Sequence, residues 1–505
     1  MRSGLIDRLR RLVRRQAPPP ELRLTRWLYL RLLGITALCA FLSMWVQMKG
    51  LFLSGGIAPA ADFIDAVREH ADAHDWSALG RFYRMPTLAW LSAGDGFLTA
   101  LVAIGTFASL LLIADVAPGP MIAVLWLTYL SLVRVGDVFF GYQWDALLIE
   151  ALFASLFVAP WRLRPRLRSD RAPPAAGVWL VRLLLFKLML LSGAVKLIAS
   201  DHSWTDFEAL DVHFFTQPLP TWTAYYAHHA PHWLHVGMLL VVFAVECVLP
   251  FFLFAPRRVR ALFPLGTMFL MVAIGSTGNY GFFNLLTFAL AIMSLDDRAL
   301  RRIVPRRLRE RTPDPAEPPP AIGRPWVRRA GWGAVGFLLL IGVLEANQRL
   351  RRHSDAGRWL LSHTAQFESV NAYGLFQDMT LQRPEIVVEG SRDGSHWEAY
   401  EFRWKPGDPG RRPAFTGPHM PRLDWQMWFA ALYGCRASDW FIGLEARLLE
   451  GRDEVRDLLA RDPFGADPPR YLRSTLYDYR FTELGEDGWW TRTEIGPFCP
   501  PVSRR

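Results

Sequence analysis

Cysteine is scarce in this chain, with four residues in 505. That number is too small for a fold held together mainly by disulfide bonds. The sequence also has no CxxC pair, so a thioredoxin-like redox centre is not expected. Cys39 and Cys247 lie in apolar stretches, where a free thiol usually packs as a small apolar side chain.

Motifs for binding nucleotides and nucleic acids are absent as well. No glycine-rich phosphate loop follows a predicted strand, no nucleic-acid motif occurs, and no repeat recurs at a fixed period. Four histidines cluster between residues 228 and 235, but no carboxylate or cysteine accompanies them at ligand spacing. We therefore predict no metal site, no cofactor and no nucleic-acid partner.

Long apolar stretches fill the first two thirds of the chain. A helix needs about 20 apolar residues to cross the hydrocarbon core, and about 17 is a practical minimum. The first six stretches reach that length, while the last three are short enough to require a tilted, kinked or re-entrant helix. We predict a polytopic α-helical membrane protein with about nine spans, in preference to a large soluble protein with buried helices. The stretches are Trp27–Val46, Phe97–Val116, Met121–Phe140, Trp144–Pro160, Val178–Ala199, Trp233–Phe254, Ala261–Gly275, Phe282–Leu295 and Ala330–Leu344.

Basic residues are concentrated in alternate loops, and this predicts the orientation. With nine spans, the N-terminal tail, the segments 162–171 and 257–260 and the connector 296–329 fall on one side. The positive-inside bias makes that side cytoplasmic. The opposite loops are acidic or aromatic, so the net charge of +10 is interpreted as an orientation signal rather than as a nucleic-acid surface.

Three regions follow from this topology: a basic cytoplasmic tail (1–26), a transmembrane domain (27–346) and an exported α+β domain (347–505). Alternating residues and turn signals in the exported domain predict an antiparallel sheet with a helical insertion. The predicted strands and helices are strands 385–389 and 396–404, helices 424–432, 440–449 and 454–460, and strands 471–482 and 489–495.

The exported domain contains two cysteines, Cys435 and Cys499. A periplasm or an endoplasmic reticulum lumen permits disulfide bonds. We hypothesise that the two cysteines pair, and two unrelated thiols are the alternative.

Ionisable residues inside the apolar stretches are the strongest chemical signal, because each costs at least about 2.5 kcal/mol in hydrocarbon. Counting about 1.5 Å per residue places Lys187 and Glu246 nearer the cytoplasmic half, where they are expected to pair. Lys187 and Lys196 are nine residues apart and point to opposite helix faces. The sequence does not decide between helix-joining ion pairs and a polar site. Five residues near the outer ends are expected to form one cluster: Arg134, Asp137, Asp145, Glu150 and Lys196.

Seven blocks of unusual composition are spread over the chain. They are YQWDALLIEALF (142–153), LSGAVKL (191–197), FFTQPLPTWTAYYAHHAPHWLH (214–235), GNYGFFNLLT (278–287), VNAYGLFQDMT (370–380), RPEIVVEGSRDGSHWEAYEF (383–402) and PRLDWQMWFAAL (421–432). In these blocks the chain resembles the lipase maturation factor family over nearly its whole length. The resemblance implies a multi-pass membrane protein that helps secreted lipases to fold and assemble. Animal members reside in the endoplasmic reticulum membrane, whereas the composition here is typical of bacteria and implies an inner membrane and a periplasmic domain.

The resemblance also implies which polar residues carry function. The expected partners are membrane lipids and a secreted lipase or another exported client. In the outer loops the implied residues are His213, Gln217, His228, His229, Asn279, Tyr280 and Asn284. In the exported domain they are Asn371, Tyr373, Arg383, Glu385, Arg422, Asp424 and Trp425.

A shorter motif in the membrane half resembles the transmembrane domain of vitamin K-dependent carboxylases. Gly193, Lys196, Leu197 and Trp204 stand in comparable order, which implies Lys196 as a catalytic base. Two functions therefore stay open. A non-enzymatic maturation factor predicts paired charges without a pocket. A membrane-embedded enzyme that modifies a lipid, a quinone or a secreted protein predicts a pocket with Lys196 inside it.

Overall fold

The computed structural model describes residues 22–167, 171–310, 325–349 and 355–504. Most of the predicted cytoplasmic tail and part of the basic connector, residues 311–324, lie outside these ranges.

The described chain up to residue 349 is almost entirely helical. In chain order the helices are α1 (Arg23–Trp45), α2 (Met48–Leu51), α3 (Ala60–Ala73), α4 (Ala78–Arg84), α5 (Asp95–Ile113), α6 (Pro118–Val133), α7 (Gln143–Ser155), α8 (Ala175–Leu197), α9 (Ala209–Thr216), α10 (Trp222–His228), α11 (His232–Phe243), α12 (Arg257–Arg260), α13 (Leu262–Thr277), α14 (Phe283–Ile292), α15 (Asp297–Leu300), α16 (Arg306–Arg309) and α17 (Pro325–Arg349). Short 3-10 turns occur at Leu88–Trp90 and Asp137–Phe140.

Six helical segments of the described ranges are long and apolar enough to cross a membrane, which makes this a polytopic membrane protein. They are Arg23–Trp45, Asp95–Ile113, Ala175–Leu197, His232–Phe254, Arg257–Thr277 and Arg329–Asn347. Shorter apolar helices at Pro118–Val133 and Phe283–Ile292 add to the membrane half. The seventh and ninth stretches were predicted to be short, but they belong to long helices. Each helix continues beyond its apolar stretch into flanking arginines, which the apolar pattern does not include.

The third and fourth stretches were predicted to reach crossing length, and the regular helices there are shorter than the stretches. α6 ends at Val133 because the chain then turns sharply: Asp137 has a left-handed φ of 49°. At Gly136 a Cβ would lie only 2.0 Å from the Phe140 ring, so the turn needs a glycine. α7 has 13 residues and ends at Ser155.

The sixth stretch is long but irregular. After α11 the chain forms a π-helical turn over Ala244–Val248 and a 3-10 segment over Leu249–Phe254. Pro250 has no N–H to donate to the carbonyl of Glu246 four residues earlier, which disfavours a regular α-helix here. α8 approaches the π-helical turn closely, since a Cβ on Gly193 would lie 2.4 Å from the Cys247 sulfur. The fold thereby brings Glu246 to the surface of α8.

The C-terminal region combines helices with antiparallel sheets. Its elements in chain order are α18 (Asp355–Ser362), β1 (Pro384–Ser391), β2 (Glu398–Ala399), β3 (Glu401–Phe402), α19 (Arg422–Tyr433), α20 (Asp439–Glu450), α21 (Asp453–Arg456), β4 (Leu459–Arg461), β5 (Tyr471–Phe481) and β6 (Trp490–Ser503). One sheet has the strand order β2-β1-β5-β6 and a second sheet pairs β3 with β4, all antiparallel. Helices α19 to α21 lie between β3 and β4 in the chain, so the predicted sheet with a helical insertion is confirmed.

Two details of that prediction are wrong. The helix predicted over 454–460 ends at Arg456, and residues from Leu459 form β4 instead, because pairing with Phe402 of β3 offers their backbone a ladder partner. The strand predicted over 396–404 is interrupted and forms β2 and β3 separately.

The two cysteines of the C-terminal region lie together. Cys435, just after α19, and Cys499 on β6 form a disulfide bond with a Cα–Cα distance of 5.4 Å. The bond ties the helical insertion to the edge strand of the larger sheet.

Candidate functional site

A fully buried ion pair joins the membrane helices to the C-terminal region. Arg422, at the start of α19, donates from Nη1 to Oδ2 of Asp145 at 2.8 Å and from Nη2 to Oδ1 at 2.7 Å. Both side chains are 0 % exposed. The Tyr129 hydroxyl also donates to Asp145, and Arg422 Nη1 donates to the Phe139 carbonyl at 2.6 Å. Asp145 lies in the first turn of α7, where a carboxylate is favoured by the helix dipole.

Glu150, more than one turn further along α7, forms a second buried contact between the halves. Its Oε1 accepts from Lys187 Nζ of α8 at 2.6 Å. Its Oε2 accepts from the Asn371 backbone N–H at 2.9 Å and from the Tyr373 hydroxyl at 2.6 Å. The Glu150 carboxylate therefore connects α7 to α8 and to the family block around residue 371.

Arg383 and Glu385 of the sheet form a third contact. Arg383 is completely buried and donates to the carbonyls of Phe215 and Pro218 at 2.7 and 2.8 Å, and also to that of Gln217. These carbonyls follow the C-terminal end of α9, where the helix dipole favours a cation. Glu385 balances the charge through Arg383 at 2.7 Å and Lys405 at 3.0 Å.

Lys196 lies in a fourth buried pair, inside the membrane half. Its Nζ donates to Glu246 Oε2 at 2.6 Å and to the Ser192 carbonyl at 3.0 Å. The two side chains are 7 % and 6 % exposed. The Trp204 ring lies 5.1 Å from Nζ and covers the cation. Lys196 thus has a carboxylate partner on the π-helical turn.

The pairing predicted from helix depth is wrong. Glu246 pairs with Lys196, and Lys187 pairs with Glu150. Lys196 lies one residue before the end of α8, whereas Glu246 lies on the π-helical turn that follows α11, so the ends of these two helices do not lie at a common depth. The prediction that Lys187 and Lys196 face opposite sides of α8 is confirmed.

The single outward-facing cluster is also not formed by the described residues. Asp145 and Glu150 have different partners, as given above. Arg134 contacts Glu368 weakly, at 3.5 Å between partly exposed side chains. Asp137 is exposed and begins the 3-10 turn after α6. Separate pairs therefore replace the cluster, because Asp145 and Glu150 each have a cation from another element nearby.

A cavity of about 390 Å³ lies beside the Lys196–Glu246 pair. It is enclosed by α8, α9, α11, α13 and α14, and most of its lining side chains are apolar. Its size lies in the range typical of small-molecule sites, which are mostly apolar with a few placed polar groups. Besides the ion pair, the polar groups at this cavity include His213, Tyr280 and Asn284.

A hydrogen-bond chain defines the protonation of His213. Gln217 donates from Nε2 to the carbonyls of Phe214 and Thr277, so its Oε1 accepts from the Tyr280 hydroxyl at 2.7 Å. The Tyr280 oxygen then accepts from His213 Nε2 at 3.2 Å. Burial, assisted by the positive charge of Lys196, lowers the pKa of His213 to about 4. The ring is neutral at pH 7, with the lone pair on Nδ1.

Two buried acceptors at the cavity are left without hydrogen bonds. His213 Nδ1 and Asn284 Oδ1 have no partner among the residues that the structure describes. Buried polar atoms are satisfied in the large majority of cases, and an unpaired one costs about 1–3 kcal/mol. His213 and Asn284 both line the cavity, so the two unmet acceptors belong to side chains of its wall.

The remaining family residues hold the loops and the C-terminal region together. Asn279 donates to the Leu219 and Ala414 carbonyls and accepts from the Thr416 backbone. Asp424 accepts from the Trp404 and Lys405 backbones, and burial raises its pKa. Two other members make aromatic contacts: Trp425 packs on Trp144 at 4.7 Å between ring centroids, and His228 lies against Phe215 and Phe481. The other two form hydrogen bonds with backbone carbonyls: His229 with that of Tyr225, and the Asn371 side chain with those of Ala146 and Glu368.

Sequence reasoning missed several buried charges. Arg31 of α1 pairs with Asp115 at 2.5 Å, and Arg182 of α8 donates to the Met293 carbonyl at 2.8 Å. Asp297 accepts from the Leu24 and Thr25 backbones and caps the start of α1. Each is a charged residue inside or next to an apolar stretch, and that position is the signal by which the sequence could have identified them.

The geometry combines features that the two functional interpretations had assigned separately. Lys196 is paired, as expected for an assembly factor, and it also lines a cavity, as expected for an enzyme. The Lys196 amine is held by Glu246 and by the Ser192 carbonyl, both within hydrogen-bond distance. The arrangement is therefore suited to binding and to holding helices in place.

Comparisons with known proteins place the chain among described families. A model described as the lipase maturation factor transmembrane domain matches residues 24–302, and one described as the lipase maturation factor C-terminal domain matches residues 369–500. Human lipase maturation factor 1 is 34% identical over 514 residues, covering 95% of this chain and 88% of the relative. The bovine factor 1 is 34% identical over 508 residues, covering 95% and 89%. Human lipase maturation factor 2 is 34% identical over 600 residues, covering 95% and 83%. No solved structure matches the chain.

Proposed function

This chain belongs to the lipase maturation factor family, and we propose that it is a membrane-embedded maturation factor that helps a secreted lipase to reach its active form. The observation that carries the proposal is the similarity over 95% of the chain to proteins named for lipase maturation, in the membrane half and the C-terminal half alike.

The contacts between the two halves support a role as a preorganised platform. Asp145–Arg422, Glu150–Tyr373 and the carbonyls bound by Arg383 connect membrane helices or their loops to the C-terminal region. Fully buried contacts of this kind hold two elements in one arrangement, because separating them strands a charge. A client would therefore meet the loops and the C-terminal region as one surface.

We propose that the C-terminal region lies outside the cytoplasm, in the periplasm of a bacterium. Two sets of contacts support one consistent sidedness. Gln47 at the predicted outer end of α1 bonds the Met420 carbonyl, whereas Asp297 bonds the start of α1 at the predicted inner end. If the shorter helices α6, α7 and α14 also cross, the described ranges contain nine spans, which is the number this orientation requires.

Fusion reporters test the orientation. A reporter after Arg171, Arg260 or Arg311 is expected to read cytoplasmic, and one after Gln348 or Arg505 is expected to read exported. An exported signal at Arg311 would contradict nine spans and would move the C-terminal region to the other side.

Co-expression tests the function itself. A secreted lipase is produced with this chain or with an empty vector, and lipase activity is divided by the mass of exported lipase protein. The chain is expected to raise that ratio. Asp145→Asn should remove the gain, whereas Arg306→Ala, at a side chain that is 90% exposed, should keep it. An unchanged ratio with a well-expressed wild-type chain contradicts the proposal.

The enzyme alternative receives no support from the relatives described above, which are named for maturation and not for a reaction. Lys196 is held in a buried contact with Glu246 at 2.6 Å, a position that suits a structural role. We propose that this pair serves to hold α8 against the π-helical turn and to form one wall of the cavity.

A further inference from the structure

We propose that the cavity beside Lys196 binds an uncharged lipid that carries a hydroxyl group on its head, such as a monoacylglycerol. This goes beyond the maturation role, because it assigns a bound small molecule to the membrane half. The proposal depends on the shape of the cavity, its opening, its net charge and its unmet hydrogen-bond acceptors.

The opening of the cavity faces the bilayer side of the protein. Val241 of α11 and Phe269 of α13 line the cavity and are 41% and 62% exposed. Leu265 and Val272, on the same helix as Phe269, are exposed as well. The mouth therefore lies in an apolar surface of two helices that are long enough to span a membrane. A molecule that enters there comes from the lipid.

The interior of the cavity is apolar along most of its walls and polar at one side. Lys196 and Glu246 are the charged side chains among its lining residues, and they neutralise each other at 2.6 Å. An anionic head would compete with Glu246 for Lys196 and a cationic head would compete with Lys196 for Glu246. The balanced pair favours a head without charge.

The unmet acceptors determine which neutral head fits. His213 is neutral, donates through Nε2 to Tyr280 and keeps a free lone pair on Nδ1. Asn284 Oδ1 is the second buried acceptor without a partner among the described residues. Both side chains line the cavity. Two acceptors need a donor, and a hydroxyl on the head supplies one without adding charge; an ester without a hydroxyl leaves both unsatisfied.

Photolabelling of the full chain in detergent tests the proposal. Three probes with the same diazirine-bearing acyl chain are compared: the monoacylglycerol, the methyl ester and the free fatty acid. The monoacylglycerol is expected to label peptides of α8, α11, α13 or α14, and unlabelled monoacylglycerol should compete. The methyl ester should label them about fivefold less, the factor expected when a hydrogen bond worth about 1 kcal/mol is missing.

Variants separate the cavity from general lipid contact. Ala273→Phe fills the cavity and should lower labelling by at least about tenfold, whereas Leu265→Phe, on the exposed face of the same helix, should leave it unchanged. His213→Phe keeps a ring and removes the acceptor, so the monoacylglycerol should lose about fivefold and the methyl ester should lose nothing.

Three results would overturn the proposal. Equal labelling by the monoacylglycerol and the methyl ester would show that the head is not recognised. Stronger labelling by the fatty acid would make the site one for an anion. Absence of competable labelling in the wild-type chain would mean that no lipid of this class binds. This result is obtained with the wild-type chain alone, so it does not require any variant to fold.

Discussion

Removing the charge of Asp145 should destabilise the protein more than any change at an exposed ion pair. Asp145→Asn is nearly isosteric, so packing is preserved while Arg422 keeps its positive charge in a fully buried position. Breaking a buried pair by removing one partner costs about 3–5 kcal/mol. The full cost applies here because neither side chain is exposed and solvent cannot screen the remaining charge.

The matched control is the pair between Arg134 and Glu368. Its atoms are 3.5 Å apart and the side chains are 31% and 21% exposed. Partly exposed pairs contribute about 0–1 kcal/mol, so Glu368→Gln should change the free energy of unfolding by less than about 1 kcal/mol. The comparison tests whether burial, rather than the loss of one carboxylate, determines the effect.

Denaturant unfolding of the detergent-purified chain, followed by tryptophan fluorescence, measures both variants. Trp144 and Trp425 pack against each other close to the pair and report its integrity. The double change Asp145→Leu with Arg422→Met should recover most of the loss, because apolar residues of similar volume replace buried pairs well. If the free energy of unfolding of Asp145→Asn equals that of Glu368→Gln, the reasoning is refuted.

Three further predictions follow from buried groups elsewhere. Mass analysis without reduction should show one disulfide, and Cys499→Ser should lower the stability of the C-terminal region by roughly 4 kcal/mol; two free thiols would contradict it. Burial raises the pKa of Glu445 to about 7, so the free energy of unfolding should fall by up to about 3 kcal/mol between pH 5 and 8. A series of thermal melts at different pH values measures this slope, and Glu445→Gln should abolish it. Lys196→Ala should strand Glu246 and lower abundance, and Glu246→Gln should restore it; full abundance with lost lipase activation would instead favour a catalytic base.

The sign of the Glu445 prediction follows from proton binding. The carboxyl has an ordinary pKa of 4.5 and a higher one in the folded chain, so the folded chain holds the proton more tightly between those values. Raising the pH removes that proton and costs the folded state, while the unfolded chain has already released it. Stability is therefore greatest on the acidic side of this window.

Much of the fold was readable from the sequence because its signals are local. Apolar length identified the long spans, and alternation identified β1 and β5 with their turns. The nine-residue spacing between Lys187 and Lys196 was enough to predict that they lie on opposite faces of α8. The predictions failed where a local signal was outweighed by a contact distant in the sequence. Residues from Leu459 pair with β3 instead of continuing a helix, and β3 lies far from them in the chain.

The candidate site was predicted less well because its partners are distant in sequence. Asp145 and Arg422 are 277 residues apart, and no spacing rule connects them. Glu246 lies 14 residues into the helical segment that begins at His232, whereas Lys196 lies one residue before the end of α8. Their contact shows that these two helix ends are not at a common depth, which a count within each stretch does not show. A charged residue inside an apolar stretch predicts that a partner exists, but not which one.

The position of Lys196 relates its ion pair to the cavity beside it. An ammonium in hydrocarbon requires a counter-charge, and Glu246 supplies it only because the π-helical turn brings it within 2.6 Å of Nζ. The same turn forms part of the cavity wall, because Glu246 is one of the lining residues. The cavity and the pair therefore share one element of the fold. A variant that restores a regular helix at Pro250 should disturb both together, which ties the lipid site proposed here to the element that holds the membrane half in shape.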